Sequence, residues 1–342
     1  LLYSFQGEAL NGEEAELPRL AVLANQAPQE LYRHVNELRH RHLVQQHSVW
    51  RAVLPHAIAN WLAARALDDI PYALIDKQIV VCGTDRLALS FSRRLSFLHA
   101  HPRAEEIVKG WLSPGGLLGD VTALNHFGRA MFKNVAPVLP EAALSALERV
   151  SREAPNRAVG VWHEYRSLLL SLAYDPLLFE RSTSVLARAA VEPEGGRLAK
   201  EASNAFISLF TIVLSGTWAT IEQRLDVIDR LLHAEESTQR SLGLAALEQV
   251  LKTAHFSSGH RFEFGARTRD YGYRPNTYAD ETRWYQAAMA LIERLAITQG
   301  ICGGELRCLL ARSFRGLWTR QCTLNELERL SLSFSTEGFW RE

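Results

Sequence analysis

From about Pro140 onward, apolar residues recur at helical rather than strand spacing, and this periodicity constrains the fold more than any other feature of the chain. Amphipathic helices must bury their stripes against one another. A weak internal repeat runs through them. Leu172-Ala173-Tyr174-Asp175-Pro176 stands 42 positions before Leu214-Ser215-Gly216-Thr217-Trp218, and Val185-Leu186 with Arg188 stands 42 before Val227-Ile228 with Arg230. Each repeat reads as a helix, a tight turn and a second helix. That is the layout of HEAT-like pairs, whose apolar faces are covered only by stacking on their neighbours.

The expected fold is therefore all-α: a helical, winged-helix-like part over residues 1–139, then a HEAT-like α-solenoid over 140–342 with a loop insertion at 255–276. Residues 17–70 read as helices, with Leu31, Val35, Leu38 and Leu43 in one run and Ile58, Leu62 and Ala66 in the next, which Pro55 opens. Leu87, Phe91, Leu95 and Leu98 form a stripe, as do Ile107, Val108 and Trp111 before Pro114-Gly115-Gly116 breaks the chain. Short helices followed by a glycine turn suit a winged-helix-like module, whose wing would fall in Leu117 to Val135. The longest uncharged stretch, Ala202 to Ile221, has the length of a membrane span. Ser203, Asn204, Ser208, Thr211 and the Ser215-Gly216-Thr217 turn interrupt it, so it reads as a buried helix followed by a turn. Two capping boxes are expected, at Thr277 to Asp280 and at Thr323 to Glu326.

Bulk composition narrows the function classes. Of the 342 residues 47% are apolar and 22% charged, ordinary values for a globular protein, and 38 basic residues balance 38 acidic ones. No global field draws the chain to nucleic acid or anionic lipid, so any such contact is a local patch. Cys82, Cys302, Cys308 and Cys322 lack C-x-x-C spacing and read as reduced thiols of a cytoplasmic protein. Cys302 and Cys308, six apart around two glycines, could approach each other, but two further metal ligands are missing nearby. His34, His40, His42, His47 and His56 lack the spacing of a zinc protease and read as a solvated face; Arg39 to His42 add a small basic spot. The chain contains no phosphate-binding loop, no G-x-S-x-G and no dinucleotide fingerprint, so no catalytic residue, cofactor or metal is assigned.

One segment departs from the helical pattern. Residues 255–276 carry three glycines and a proline in the stretch from Gly259 to Pro275 and no apolar stripe. Loops of that length are uncommon unless they have a role. Arg261, Phe264, Arg267, Arg269, Tyr271, Tyr273 and Arg274 are the candidate binding residues. Guanidinium forks interleaved with rings suit a protein interface or the backbone and bases of a single strand. The same arginines could instead stack on these rings and pair with Glu263 and Asp270 to hold the loop in shape.

Trp50 to Asn60 with Leu62-Ala63, then Leu89-Ser90-Phe91-Ser92-Arg93-Arg94-Leu95 and Ile107-Val108-Lys109-Gly110-Trp111-Leu112, resemble the region that follows the nucleotide-binding domain in large bacterial STAND-type NTPases. The resemblance spans roughly residues 30–250. It implies a winged-helix and helical-repeat region that senses a trigger, often an invader's protein, in antiviral defence. The P-loop and Walker B segments of that family are missing, so ATP hydrolysis is not carried over. The chain opens Leu1-Leu2-Tyr3-Ser4 without methionine or a basic leader, and closes on Gly338-Phe339-Trp340-Arg341-Glu342. It reads as part of a longer cytoplasmic protein. The expected partners are a protein trigger or other domains of that longer chain, with nucleic acid as the alternative through the Arg/Tyr loop. No membrane is expected; self-association stays open.

Overall fold

The computed structural model describes residues 1–153, 155–192, 196–260, 262–297 and 302–335. Arg261 and the terminal Gly338 to Glu342 lie outside the described residues. Among the described residues the chain is all-α, with sixteen α-helices and a single three-stranded sheet. Two compact units emerge: Leu1–Ala146 with Glu263–Thr268, and Leu147–Phe262 with Arg269–Glu342.

The first unit begins with β1 (Phe5–Gln6), α1 (Leu17–Leu23), α2 (Pro28–His40), β2 (Val44–His47) and β3 (Trp50–Val53). The sheet order is β1-β3-β2, antiparallel throughout, with Val44 opposite Val53 and Phe5 opposite Arg51. Two helices joined by a short turn are thus followed by a β-hairpin. Pro28 sits in the first turn of α2, where its missing N–H costs nothing, and Asn25 takes the left-handed conformation (φ 51°) that reverses the chain between the helices. Strand β1 is pinned from two sides. Buried Glu16 accepts from the Gln6 amide at 2.6 Å and pairs with Arg86, while Ser4 donates to Ser90 Oγ at 2.9 Å. Arg51, also buried, donates to Glu8 (2.5 Å) and to the Ser48 carbonyl (2.8 Å) at the hairpin turn.

Two expectations for this region are corrected. Residues 17–70 are not helical throughout, because a hairpin occupies 44–53; and Leu117 to Val135, where a wing was expected, holds turns and then α7 (His126–Val135), capped by Asn125. Helix α3 (His56–Asp69) also turns differently from the expected stripe. It buries Ala59, Ala63 and Leu67 and leaves Ile58, Leu62 and Trp61 (60% exposed) outside. The α4 helix (Tyr72–Ile75) runs on as a π-helical turn, Asp76–Val81. Helices α5 (Asp85–Leu95) and α6 (Pro102–Leu112) follow expectation: Leu87, Phe91, Leu95 and Leu98, and Ile107, Val108 and Trp111, are all buried. Removing a large side chain of this kind from water stabilises by roughly 1.5–3 kcal/mol.

Helix α8 (Pro140–Glu153) starts where the sequence pattern changes, and the division between units falls inside it. The second unit continues with α9 (Pro155–Leu172), α10 (Pro176–Ala190), α11 (Gly196–Ser208), α12 (Ile221–Leu232), α13 (Ser237–Val250), α14 (Tyr278–Ile297), α15 (Gly303–Trp318) and α16 (Leu324–Ser335). Helices α9 to α11 pack each on the next, as do α12 to α16, and helices also pack on the next but one. Thus α10, α12, α14 and α16 form one layer, and α9, α11, α13 and α15 the other. Val185-Leu186 of α10 and Val227-Ile228 of α12 are all buried. Turns before these helices touch, the Trp218 amide donating to the Tyr174 carbonyl at 3.0 Å.

An arginine of each later helix in the first layer reaches a carboxylate of the earlier one. Arg181 of α10 pairs with Glu148 of α8, Arg230 of α12 with Glu180 of α10, Arg283 and Arg294 of α14 with Glu222 and Asp229 of α12, and Arg329 of α16 with Glu293 of α14. Such exposed pairs contribute about 0–1 kcal/mol each, so they set register more than stability. The capping box at Thr277 forms, the Asp280 amide donating to Thr277 Oγ1 (3.2 Å) and the Thr277 amide to Asp280 Oδ2 (2.9 Å). That at Thr323 does not. Thr323 is buried in a 3-10 turn and donates back to the Leu317 and Arg320 carbonyls, while Glu326 turns to Arg329. The uncharged stretch from Ala202 is a buried helix end and turn as expected, with Phe206, Leu209 and Phe210 enclosed. No helix among the described residues is long and apolar enough to cross a membrane.

Candidate functional site

The loop at 255–276 divides between the two units. Residues 263–268 belong to the first, where Phe264 is buried. Gly265 has φ 60°, and a Cβ there would come within 2.2 Å of the Ser96 carbonyl, so only glycine fits; the next amide, Ala266, donates to that carbonyl. Arg267 Nε donates to the Pro137 carbonyl at 2.7 Å, and Glu263 pairs with Arg93 at 3.3 Å. The Arg267 charge adds to burial in pushing the His99 imidazole below its ordinary value, against an upward pull from Glu105.

The rest of the loop belongs to the second unit and is fastened to the turn before α12. Thr217 and Gly272 form a parallel bridge; the Gly216 amide donates to the Tyr271 carbonyl (2.9 Å) and the Tyr273 amide to the Thr217 carbonyl (2.8 Å). Gly272, at φ 77°, lies so close that a Cβ would meet the Thr217 backbone at 2.4 Å. The Arg269 guanidinium lies 4.6 Å over the Tyr174 ring and donates to the Ser171 carbonyl. Asp270 accepts from Tyr174 Oη (3.0 Å), Trp218 Nε1 (3.2 Å) and the Gly272 amide (2.9 Å). Desolvation opposes its charge, but these hydrogen bonds prevail and hold the carboxyl below the usual range.

Beneath lies Arg224, fully buried without a carboxylate. Its donors meet the Ala219, Leu209, Thr211 and Thr217 carbonyls and Ser215 Oγ at 2.7–3.4 Å, and its guanidinium lies 4.9 Å over the Trp284 ring. Burial pulls its pKa down to about 9. Tyr273 stacks on the same Trp284, with ring centroids 5.5 Å apart. Carbonyl dipoles and ring faces here replace a counter-ion.

Of the seven sequence candidates, then, Phe264, Arg267, Arg269 and Tyr273 hold the loop, and Arg261 lies outside the described residues. Tyr271 (50% exposed) and Arg274 face solvent, and among the described residues Arg274 has no ion pair or hydrogen bond. Two exposed aromatics join Tyr271 that the loop motif alone did not single out: Phe262 (42%), whose ring meets it edge-on at 4.8 Å, and Trp218 (41%), fixed through Asp270. Trp218 lies at the end of the second repeat copy, so its position was visible in sequence while its exposure was not. Rigid, half-exposed aromatics are the side chains that contribute most at protein interfaces, because little entropy is lost in fixing them.

Elsewhere in the second unit a cleft of about 360 Å³ lies against α10 and α12, lined by Glu180, Thr183, Ser184, Arg188, Arg230 and Gln239. It contains none of the seven candidates. No group of three or more metal-ligating side chains is found among the described residues. Cys302 and Cys308 do not meet as a pair: one precedes α15 and the other sits within it, about 9 Å along the axis at 1.5 Å per residue. Comparison with models of known protein families, with curated proteins and with solved structures returns no match.

Proposed function

We propose that this chain is a non-catalytic helical module of a larger STAND-like defence or signalling protein, which binds a macromolecular trigger and passes that binding to other domains. The observation that carries the reading is the exposure of three aromatics, Phe262 and Tyr271 on the loop and Trp218 on the turn before α12, where Asp270, Gly272 and Tyr273 are fastened to that turn by hydrogen bonds. The two-layer helix packing supports a HEAT-like solenoid as the scaffold, since stacked pairs present extended surfaces to large partners. The outer face of α3, with Ile58, Trp61 and Leu62 exposed, suits contact with other domains of a longer chain. A protein trigger is favoured over nucleic acid at the loop, because Arg267 and Arg269 are engaged with carbonyls and Arg274 alone of the described loop arginines is open. A cytoplasmic location belongs to the same reading.

The test is affinity capture of partners from infected and uninfected cell lysate, with a nuclease-treated arm, using wild type and the pair Phe262→Ala with Tyr271→Ala. A specific protein retained by wild type, surviving nuclease and weakened at least tenfold in direct titration with the double variant, is the expected result. Retention unaffected by the double variant would remove the loop from the interface, and retention lost to nuclease would replace the protein trigger by nucleic acid.

A further inference from the structure

The cleft against α10 and α12 shares no lining residue with the exposed aromatics of the loop region. At about 360 Å³ it falls within the roughly 300–1,000 Å³ of small-molecule sites. One face of α10 supplies Glu180, Ser184 and Arg188, each one turn from the next, and α12 supplies Val227, Arg230 and Leu231 at similar spacing. Ala187 and Val191 add apolar wall beside Arg188, and Gln239, in the first turn of α13, lines the cleft as well.

What this lining leaves open is hydrogen-bond donors. Glu180 is the one carboxylate of the cleft, and Arg230 takes it at 2.6 Å. Thr183 Oγ1 donates to the Phe179 and Glu180 carbonyls (2.8 and 2.9 Å), and Gln239 Nε2 donates to Glu236 (2.9 Å). Arg188 and Ser184 are exposed and, among the described residues, have no ion pair or hydrogen bond. This sets Arg188 apart from Arg181, Arg230, Arg283 and Arg329, each of which meets a carboxylate of an earlier helix in its layer. A free guanidinium and a hydroxyl one turn away, next to apolar wall, ask for an acceptor-rich head on an apolar body. Charge selects the head. Two arginines against one glutamate leave a single positive charge, which a monoanion matches, whereas a phosphate monoester brings about −1.5 to −2. A carboxylate also meets a guanidinium fork through two parallel hydrogen bonds.

We propose that this cleft binds a small organic monocarboxylate, with its carboxylate on Arg188 and the Ser184 hydroxyl and its hydrocarbon body against Val227 and Leu231. The site does not depend on Phe262, Tyr271 or Trp218, so it stands or falls separately from the trigger reading.

Ligand-observed NMR of the whole chain with hexanoate, hexyl phosphate, hexanol and acetate tests head and body separately. Hexanoate is expected to bind with a Kd of about 1 mM or tighter, a modest affinity for so few atoms. Hexanol, which lacks the charge, and acetate, which lacks the body, should each bind at least about tenfold more weakly, and hexyl phosphate no more tightly than hexanoate. Arg188→Ala should weaken hexanoate at least about tenfold and Ser184→Ala about threefold, with the circular dichroism spectrum unchanged because both side chains are exposed. Arg312→Ala, exposed on α15 and outside the cleft, should change binding less than about twofold. Absence of hexanoate binding up to about 10 mM, equal binding of hexanol, tighter binding of hexyl phosphate, or hexanoate binding indifferent to Arg188→Ala would each overturn the proposal.

Discussion

The arginines of the second unit's loop region and those of α2 are alike in sequence, each interleaved with aromatic or histidine neighbours, and they differ in what their donors meet. Arg224 and Arg269 donate to carbonyls and lie over aromatic rings; Arg33 points into solvent, and Arg41 has only a neighbouring glutamate one turn away. A guanidinium carries five donors, and a loop with many unpaired carbonyls supplies acceptors that a helix, whose carbonyls are already paired, does not. Arginine beside irregular backbone, whether on the loop as Arg269 is or on α12 as Arg224 is, is therefore a building material first, whereas Arg33 on α2 meets no such acceptors among the described residues.

The contrast is broken most severely at Arg224. Arg224→Ala leaves the Leu209, Thr211, Ala219 and Thr217 carbonyls without their donor and opens a void under Trp284. Each buried group left unsatisfied costs about 1–3 kcal/mol, so the loss should reach about 3 kcal/mol or more. Urea denaturation followed by tryptophan fluorescence measures it. A loss below about 0.5 kcal/mol would mean that solvent replaces the guanidinium and that the loop does not rest on it.

A finer comparison sets Arg269 against Arg274, five residues apart. Arg269→Ala removes a hydrogen bond to Ser171 and a guanidinium over Tyr174, together about 1 kcal/mol at this half-buried position. Arg274→Ala should change stability by less than about 0.5 kcal/mol, as for surface sites without partners. Equal effects of the two on the urea midpoint would erase the distinction between structural and open arginines within the loop.

The same contrast explains what could be read from sequence. Stripes of large apolar residues, as at Leu87, Phe91 and Leu95 or Trp284, Ala288 and Leu291, mark buried faces correctly because nothing else can cover so much apolar surface. Helix α3 misleads because its buried residues are alanines and one leucine, and close approach of backbones leaves its larger Ile58, Trp61 and Leu62 outside. The hairpin escapes because β2 buries only Val44; Gln45, Gln46 and His47 give no alternation to detect. Thr323 carries the letters of a capping box, but a buried hydroxyl takes the nearest carbonyls, here Leu317 and Arg320. For the candidate site, residue types located the loop, yet which arginine or ring faces solvent depends on Pro137, Ser171 and Tyr174, far away in sequence.

The smallest expected effect tests whether a structural arginine in the loop still acts through its charge. His99 has its imidazole lowered by burial first and by Arg267 second, with Glu105 pulling upward, and its Nδ1 is buried without a hydrogen-bond partner. In the unfolded chain a histidine titrates near 6.5. A lower value in the folded state means that, as pH falls, the unfolded chain takes up this proton before the folded one does. The contribution of His99 to stability is therefore complete above about pH 6.5 and declines as pH drops through that value toward the folded pKa. Replacing Arg267 by glutamine keeps a donor for the Pro137 carbonyl but removes the charge, so His99 should titrate at higher pH, and the acid-side decline in stability should shrink. Following the His99 ring proton by NMR between pH 4.5 and 8, an assay window of about two units around the unperturbed value, reads the shift directly. An unchanged His99 titration in Arg267→Gln would leave burial as the whole cause, and would make Arg267 a hydrogen-bond donor with no electrostatic reach beyond the carbonyl it meets.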